Sequence, residues 1–366
     1  MNRIKGPVAP GHILALKPYV PGKPIEELER EYGISGSIKL ASNENPIGPS
    51  PKAVQAIENT LKNLHRYPDG ASHDLTAALA ARLGCGRDQL VLGNGSDEII
   101  QMLCMAFLSE GDNAVMSDPA FLMYEISVRT QGAVPVKVPL AGMDADLSAR
   151  AGSVDEKTRL VFVNNPNNPT GSMVSTKDFE RFLEKIPPEV LVVVDEAYIE
   201  FARDPECLRS HSLAASGENV VTLRTFSKAY GLAGLRVGYG VMPAGVARVL
   251  QRIRLPFNVN LLAQAGAIAA LSDEQHLART VEAVHQGLDV FYRELSAGGV
   301  EYSPSQANFL LVKVDKDADD VFEALLKEGI IVRSMRSYGF PNHIRVSVGL
   351  PEENRRFLEA FFKVAA

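Results

Sequence analysis

One lysine lies in a polar, glycine-containing segment that directly follows an apolar run. Lys228 comes five residues after the run at 220–223 (228 − 223), and glycines follow it. If the run is a strand, the lysine lies at its carboxyl end, where α/β sheets place ligands. The glycines let the backbone approach a ligand closely. The segment also offers three hydrogen-bond donors suited to a phosphate, namely Thr225, Ser227 and Arg236. By itself it is equally compatible with a solvated loop.

An aspartate ends a second apolar run. Asp195 follows the run 191–194 and precedes Lys228 by 33 positions (228 − 195), enough for one crossover and one further strand. A buried carboxylate needs a cationic partner, and a protonated pyridine nitrogen would provide one. Tyr198, three residues further on, could reach a phenolic oxygen of the same ligand. The alternative is that Asp195 caps the turn after the strand.

Two more polar segments each follow an apolar run. The segment 164–171 contains Asn168 between prolines, and its composition is sufficient for a tight turn, although the Asn168 amide could also face a ligand. The segment 93–98 places glycines before a predicted helix at 97–108, with Ser96 as its N-cap. Free N–H groups at such a helix start bind anions. Its spacing does not match a Rossmann fingerprint.

The apolar runs that carry these segments alternate with helical patterns. Runs of Val, Leu and Ile predict strands buried on both faces, at 89–92, 113–116, 134–138, 159–163, 191–194, 220–223 and 237–241. The alternation predicts an α/β fold with a mostly parallel central sheet. We expect a proline-rich N-terminal arm with part of a small domain at 1–50, a large domain at 51–258, and a linking helix with a smaller α+β domain at 259–366. The linking helix is predicted at 261–295.

Composition excludes several classes of function. The 366 residues carry a formal net charge of −6, which argues against a nucleic-acid partner. Three scattered cysteines favour neither a disulfide framework nor a metal site and suit a reducing cytoplasm. No apolar stretch approaches the ~20 residues that span a membrane. An arm such as 1–50 suggests packing against a neighbouring subunit.

In combination, the order of these motifs resembles the fold-type I pyridoxal phosphate (PLP) aminotransferases along nearly the whole chain. The resemblance implies that Lys228 forms a Schiff base with PLP and that Asp195 pairs with the pyridine nitrogen. Asn168 and Tyr198 would bond the ring hydroxyl, and Phe121 would stack on the ring. The phosphate would be bound by Ser96, Asp97, Thr225, Ser227 and Arg236.

Three further segments, 17–24, 39–46 and 65–68, resemble the histidinol-phosphate aminotransferases. In that family the tyrosine matching Tyr67 reaches the cofactor phosphate of the neighbouring subunit, which implies a homodimer with shared active sites. The substrate would lie by Tyr19 and Asn43, and its anionic groups would bind Arg333 and Arg345. Relatives often have proline after the arginine matching Arg333, whereas Ser334 and Arg336 here leave the loop less constrained and add a charge.

The resemblance implies that L-histidinol phosphate and 2-oxoglutarate give imidazole-acetol phosphate and L-glutamate, a step in histidine biosynthesis. Two alternatives share the scaffold: an aromatic amino-acid aminotransferase and a threonine-phosphate decarboxylase. A PLP-fold transcription regulator is a third class, but the sequence offers neither a basic tail nor room for a helix-turn-helix.

Overall fold

The computed structural model describes residues 9–18 and 22–365 of the chain. Its α-helices are α1 (Gly11–Leu14), α2 (Ile25–Tyr32), α3 (Pro51–Thr60), α4 (His73–Leu83), α5 (Ser96–Phe107), α6 (Leu122–Thr130), α7 (Leu147–Gly152), α8 (Thr176–Leu183), α9 (His211–Ser216), α10 (Ala244–Ile253), α11 (Leu261–Leu271), α12 (Glu274–Ala297), α13 (Ala318–Lys327) and α14 (Pro351–Ala365). Its strands are β1 (Ile38–Lys39), β2 (Leu90–Gly93), β3 (Asn113–Asp118), β4 (Val134–Pro139), β5 (Thr158–Asn164), β6 (Leu191–Asp195), β7 (Val220–Thr225), β8 (Gly238–Val241), β9 (Tyr302–Ser303), β10 (Phe309–Lys313), β11 (Ile330–Ile331), β12 (Arg333–Ser334) and β13 (His343–Ser347).

A seven-stranded sheet forms the centre of the molecule, in the order β2-β8-β7-β6-β5-β3-β4. All neighbours pair in parallel except β8, which is antiparallel to both β2 and β7. The inner strands are buried because apolar clusters cover both faces of the sheet. The predicted α/β class with a mostly parallel sheet is therefore confirmed.

The starts and ends of two predicted helices are wrong. Ser96 is the first residue of α5 and not its N-cap, because Gly95 occupies the N-cap position with a φ of 79° that suits glycine. The helix predicted at 261–295 is two helices, α11 and α12. Asp273 separates them because its carboxylate accepts the N–H of His276 and so caps a new helix.

Beyond the central sheet, the chain forms two small sheets. A four-stranded antiparallel sheet has the order β12-β13-β10-β9, and it packs with α12 and α14 around Phe291, Phe309 and Phe357. A parallel pair joins β1 of the N-terminal segment to β11. The chain passes from one small sheet to the other just before Arg333, because β11 pairs with β1 whereas β12 pairs with β13. The three-part domain division stays a prediction.

In residues 9–18 and 22–365, no helix combines the length and the apolar character needed to cross a membrane.

Candidate active site

A cavity of about 120 Å³ lies at the carboxyl ends of the central strands. It brings together residues that are far apart in the sequence: Ser96, Asp97, Phe121, Asn164, Asn168, Asp195, Ala197, Tyr198, Thr225, Ser227, Lys228 and Arg236. Every cofactor-binding residue expected from the sequence lines this cavity except Tyr67. Asn164 and Ala197 were not expected.

Lys228 is held at the cavity by the N-terminal segment. Its Nζ donates a hydrogen bond to the carbonyl oxygen of Ser42 at 3.0 Å and lies 5.7 Å from the centre of the Tyr198 ring. Burial, together with the nearby positive charge of Arg345, lowers the pKa of Lys228 to about 8. A neutral, nucleophilic amine is therefore accessible near neutral pH.

Asp195 ends β6 in a region that excludes water. The side chain of Tyr124 donates to Asp195 Oδ2 at 2.7 Å, and the Ala197 N–H approaches Oδ1 at 3.2 Å. Burial raises the pKa of Asp195 to about 6, whereas the Tyr124 hydrogen bond acts in the opposite direction. A buried carboxylate of this kind fits a cationic ring nitrogen. Tyr124 was given no role from the sequence, although it follows Phe121 by three residues, one helical turn.

The other end of the cavity suits a phosphate. The first N–H groups of α5, at Ser96 and Asp97, have no partner inside their helix. Arg236 Nη2 pairs with Asp97 Oδ2 at 3.1 Å, and its Nη1 contacts Ser227 Oγ at 3.3 Å. A Cβ atom at Gly95 would lie 2.6 Å from Arg236 Nη2, so a side chain there would displace the guanidinium. Helix N–H groups, hydroxyls and a guanidinium together form a site for a dianion.

The Asn168 amide has a defined orientation. Its Oδ1 accepts a hydrogen bond from Arg345 Nη1 at 2.6 Å, and its backbone N–H donates to Asn164 Oδ1 at 2.7 Å. Because arginine can only donate, Oδ1 must face Arg345, which leaves Nδ2 as the donor of the amide. Asn164 was assigned no role in the site from the sequence, because the asparagines and prolines of its segment are sufficient for a tight turn.

Tyr198 and Asn43 form a buried hydrogen bond. Asn43 Nδ2 donates to the Tyr198 hydroxyl at 3.0 Å, and burial raises the pKa of Tyr198 to about 12. Asn43, expected to touch the substrate, does not line this cavity, and its amide is hydrogen-bonded to Tyr198 and Ser347. Phe121 precedes α6 at the cavity wall and makes an edge-to-face contact with Tyr124.

The two expected substrate arginines are neighbours on one small sheet. Arg333 of β12 and Arg345 of β13 are directly opposite in register, so their side chains leave the same face of the sheet. Arg345 is buried and also donates to the Ala41 carbonyl at 2.8 Å. Arg333 lines a separate cleft beside the N-terminal segment, together with Lys23.

The added charge after Arg333 is neutralised. Arg336 pairs with Asp317 and lies 3.6 Å from Asp319. The hydroxyl of Ser334 donates to Asp319 Oδ1 at 2.5 Å. Side-chain hydrogen bonds to the start of α13 therefore hold the loop that lacks a proline.

Tyr67, expected to bind the cofactor phosphate, does not lie at the cavity of its own chain. Tyr67 is 81% exposed, and its ring stacks on Phe257 with 4.6 Å between the ring centres. Tyr19 lies outside the described residues. Within the part of the chain that the structure describes, no cluster of His, Cys, Asp and Glu could hold a metal ion.

Comparison with known proteins agrees with this architecture. The model of the family "Aminotransferase class I and II" matches residues 35–361. A histidinol-phosphate aminotransferase of Moorella thermoacetica is 46% identical over 355 residues, which are 97% of this chain and 92% of the relative. Histidinol-phosphate aminotransferase 2 of Pseudomonas fluorescens is 48% identical over 356 residues, 96% of this chain and 95% of the relative.

A solved structure is similar over the same extent. The crystal structure of histidinol-phosphate aminotransferase from Sinorhizobium meliloti in complex with pyridoxal-5'-phosphate has a TM-score of 0.89 and 30% sequence identity. The similarity covers 97% of this chain and 96% of that one. The resemblance inferred from the motifs is confirmed, and the chain belongs to the aminotransferase class I and II family.

Proposed function

We propose that this chain transfers the amino group of L-histidinol phosphate to 2-oxoglutarate, giving imidazole-acetol phosphate and L-glutamate in histidine biosynthesis. The observation that carries the reaction type is the meeting of Lys228 and Asp195 at one cavity beside an anion-binding helix start. The choice of substrate is supported by relatives of 46–48% identity that are named histidinol-phosphate aminotransferases.

The cavity fits PLP, the cofactor named in the Sinorhizobium meliloti structure. Lys228 would hold its aldehyde carbon, Asp195 its ring nitrogen, and Asn168 and Tyr198 its ring oxygen. Phe121 would cover one ring face. The phosphate would be bound by Ser96, Asp97, Thr225, Ser227 and Arg236, with Tyr67 added from a second copy of the chain. When bound, PLP supplies a ring that accepts the electron pair left when a proton leaves the substrate carbon.

Lys228 provides the proton transfer. A buried amine with a pKa of about 8 can take a proton from the substrate's Cα and return one to the product. Asp195, supported by Tyr124, would present a negative charge to the ring nitrogen, because their hydrogen bond stabilises the ionised carboxylate. These residues would therefore hold and move protons at fixed positions in the site.

The two arginines would bind the anionic ends of both substrates. A guanidinium binds phosphate and carboxylate with two parallel hydrogen bonds, so one site can accept histidinol phosphate and then 2-oxoglutarate. Arg345 would contact the group nearer the cofactor, since it already touches Asn168. Arg333, on the same face of the sheet, would contact the distal group, and Tyr19 would lie beside the substrate.

We further propose a cytoplasmic homodimer with shared active sites that acts on small molecules and binds neither nucleic acid nor membranes. Apolar side chains are exposed around Tyr67, including Phe257, Leu255 and Leu64, and a second subunit would cover them. Within this assembly, residues 51–258 would form the large cofactor domain, and residues 259–366 with part of 1–50 the smaller domain.

A comparison of kcat/KM tests the substrate. Histidinol phosphate, phenylalanine and aspartate are each supplied with 2-oxoglutarate, and glutamate is measured. We expect kcat/KM for histidinol phosphate to exceed the other two values by about a hundredfold, because a dianionic phosphate can bind both Arg333 and Arg345, and each added hydrogen bond to a charged group is worth about 1.5–3 kcal/mol. A higher value for phenylalanine would support an aromatic aminotransferase instead.

A further inference from the structure

Ser347 lies on β13 behind the cavity, and nothing in the proposed mechanism has used it. It follows Arg345 by two residues, so both side chains lie on the same face of the strand. Ser347 is buried, and its Oγ accepts the backbone N–H of Asn43 at 2.9 Å. Asn43 has a φ of 55°, a left-handed conformation that asparagine tolerates better than most residues.

The proton of Ser347 fixes the orientation of the Asn43 amide. Ser347 Oγ donates to Asn43 Oδ1 at 2.9 Å. A rotated amide would place an N–H group against Ser347, and the serine proton would then be left without an acceptor among the described residues. A buried donor without an acceptor is costly, so Oδ1 faces Ser347 and Nδ2 faces Tyr198.

This orientation determines what the Tyr198 hydroxyl can do. The hydroxyl carries one proton, and it already accepts a hydrogen bond from Asn43 Nδ2 at 3.0 Å. Its own proton is therefore left to be donated elsewhere, and Tyr198 lines the cavity. We propose that Ser347 and Asn43 are a positioning pair that keeps Tyr198 a hydrogen-bond donor toward the bound cofactor or substrate.

The proposal rests on the proposed function, because it needs a cofactor oxygen that accepts from Tyr198. It assigns Asn43 a positioning role, in place of direct contact with the substrate. It also connects the small sheet to the central one, since β13 supplies Ser347 and Tyr198 follows β6. The charged and titratable groups around Tyr198 are Arg345, Asp195, Tyr338 and Lys228, and the test leaves all of them unchanged.

Two nearly isosteric variants test the pair. Ser347→Ala removes the proton that orients the amide. Asn43→Asp keeps an oxygen for Ser347 but can only accept from Tyr198, so it reverses that hydrogen bond. The measurement is the pH midpoint of the visible absorbance of the bound cofactor. Donation from Tyr198 disperses charge on the ring oxygen, so its loss should move the midpoint upward by roughly one pH unit, the size expected for one hydrogen bond to a charged oxygen.

Tyr198→Phe provides the decisive background. When Tyr198 is already phenylalanine, Ser347→Ala should leave the midpoint unchanged. Asn43→Asp should then shift the midpoint only by the smaller effect of its added negative charge. Ser127→Ala, which removes a buried hydroxyl on α6 away from the cavity lining, is the matched control and should shift nothing.

The proposal would be overturned if Ser347→Ala and Asn43→Asp shifted the midpoint equally with and without the Tyr198 hydroxyl. It would also be overturned if neither variant shifted the midpoint in the wild-type background. Ser347→Ala removes only one atom, so it carries the test if Asn43→Asp does not fold. A wild-type chain that shows no cofactor absorbance dependent on Lys228 would instead contradict the proposed function, which keeps the two failures distinct.

Discussion

The hydroxyl of Tyr124 donates to Asp195 Oδ2 over 2.7 Å, and both side chains are buried. The ring of Tyr124 stacks on Phe162 with 4.7 Å between centres and 8° between planes, which holds the hydroxyl in place. Tyr124 does not line the cavity. A residue outside the cavity therefore stabilises the negative charge that Asp195 presents within it.

Tyr124→Phe should change how the stability of the cofactor-free chain depends on pH. Burial raises the pKa of Asp195 from 3.8 to about 6, so its ionisation on going from pH 4 to 6 costs stability. Removing the Tyr124 hydrogen bond raises the pKa of Asp195 further, so the loss of folding stability that accompanies its ionisation continues above pH 6. Urea unfolding at pH 5 and pH 8 should show an extra loss of roughly 1–2 kcal/mol at pH 8 in the variant. An equal loss at both pH values would contradict this coupling.

Capture of PLP by the cofactor-free chain should accelerate as the pH rises through about 8. Burial lowers the pKa of Lys228 to that value, and only the neutral amine attacks an aldehyde. Stopped-flow absorbance against pH gives the midpoint. Arg345→Gln should move the midpoint upward because the charge of Arg345 lowers the same pKa. A midpoint near 10.5 in the unaltered chain would show that Lys228 is solvated.

Arg345→Gln should lower kcat/KM for histidinol phosphate by about a hundredfold, through both kcat and KM. The change removes a charged donor and leaves Asn168 Oδ1 and the Ala41 carbonyl without their partner. Arg333→Gln should act mainly on KM, since Arg333 does not line the cofactor cavity. Arg336→Gln is the matched control and should stay within about twofold, because Asp317 and Asp319 already neutralise that charge. A loss at Arg336 as large as at Arg333 would place the substrate in the cleft between them.

Mixing two inactive variants should restore part of the activity if active sites are shared. Tyr67→Phe removes a hydroxyl that we place in the neighbouring site, and Lys228→Ala removes the amine. A mixed dimer contains one site with both residues intact, so up to about a quarter of wild-type activity should return on random exchange of subunits. Each variant mixed with itself is the control. Activity that stays at the level of the controls after exchange would mean that Tyr67 acts within its own subunit or not at all.

The central sheet and the cofactor cavity were predictable because their signals are local. Each buried strand is a short apolar run, and Asp195 comes at the end of one, with Lys228 shortly after another. Parallel strands bring such ends to one edge of a sheet, so their order along the chain was sufficient. The antiparallel direction of β8 depends on which strands pair, and the break between α11 and α12 depends on the cap that Asp273 provides. The spacing of apolar residues contains neither kind of information.

The residues that sequence reasoning missed act through another side chain. Tyr124 contacts Asp195, and Ser347 reaches Tyr198 only through Asn43, across more than 140 residues of sequence (347 − 198). A tyrosine on an apolar helix face and a serine on a buried strand have ordinary structural explanations. Only the folded geometry shows that their protons are directed at the site.

A single-turnover experiment tests the central claim that Lys228 and its cavity store an amino group between two substrates. The PLP-loaded chain is mixed with L-histidinol phosphate without an acceptor, and absorbance and products are followed. We predict loss of the visible absorbance with one imidazole-acetol phosphate formed per site, then recovery with one glutamate on adding 2-oxoglutarate. Lys228→Ala should do neither. Absorbance that does not change with histidinol phosphate, or release of CO2 from threonine phosphate in its place, would contradict the account.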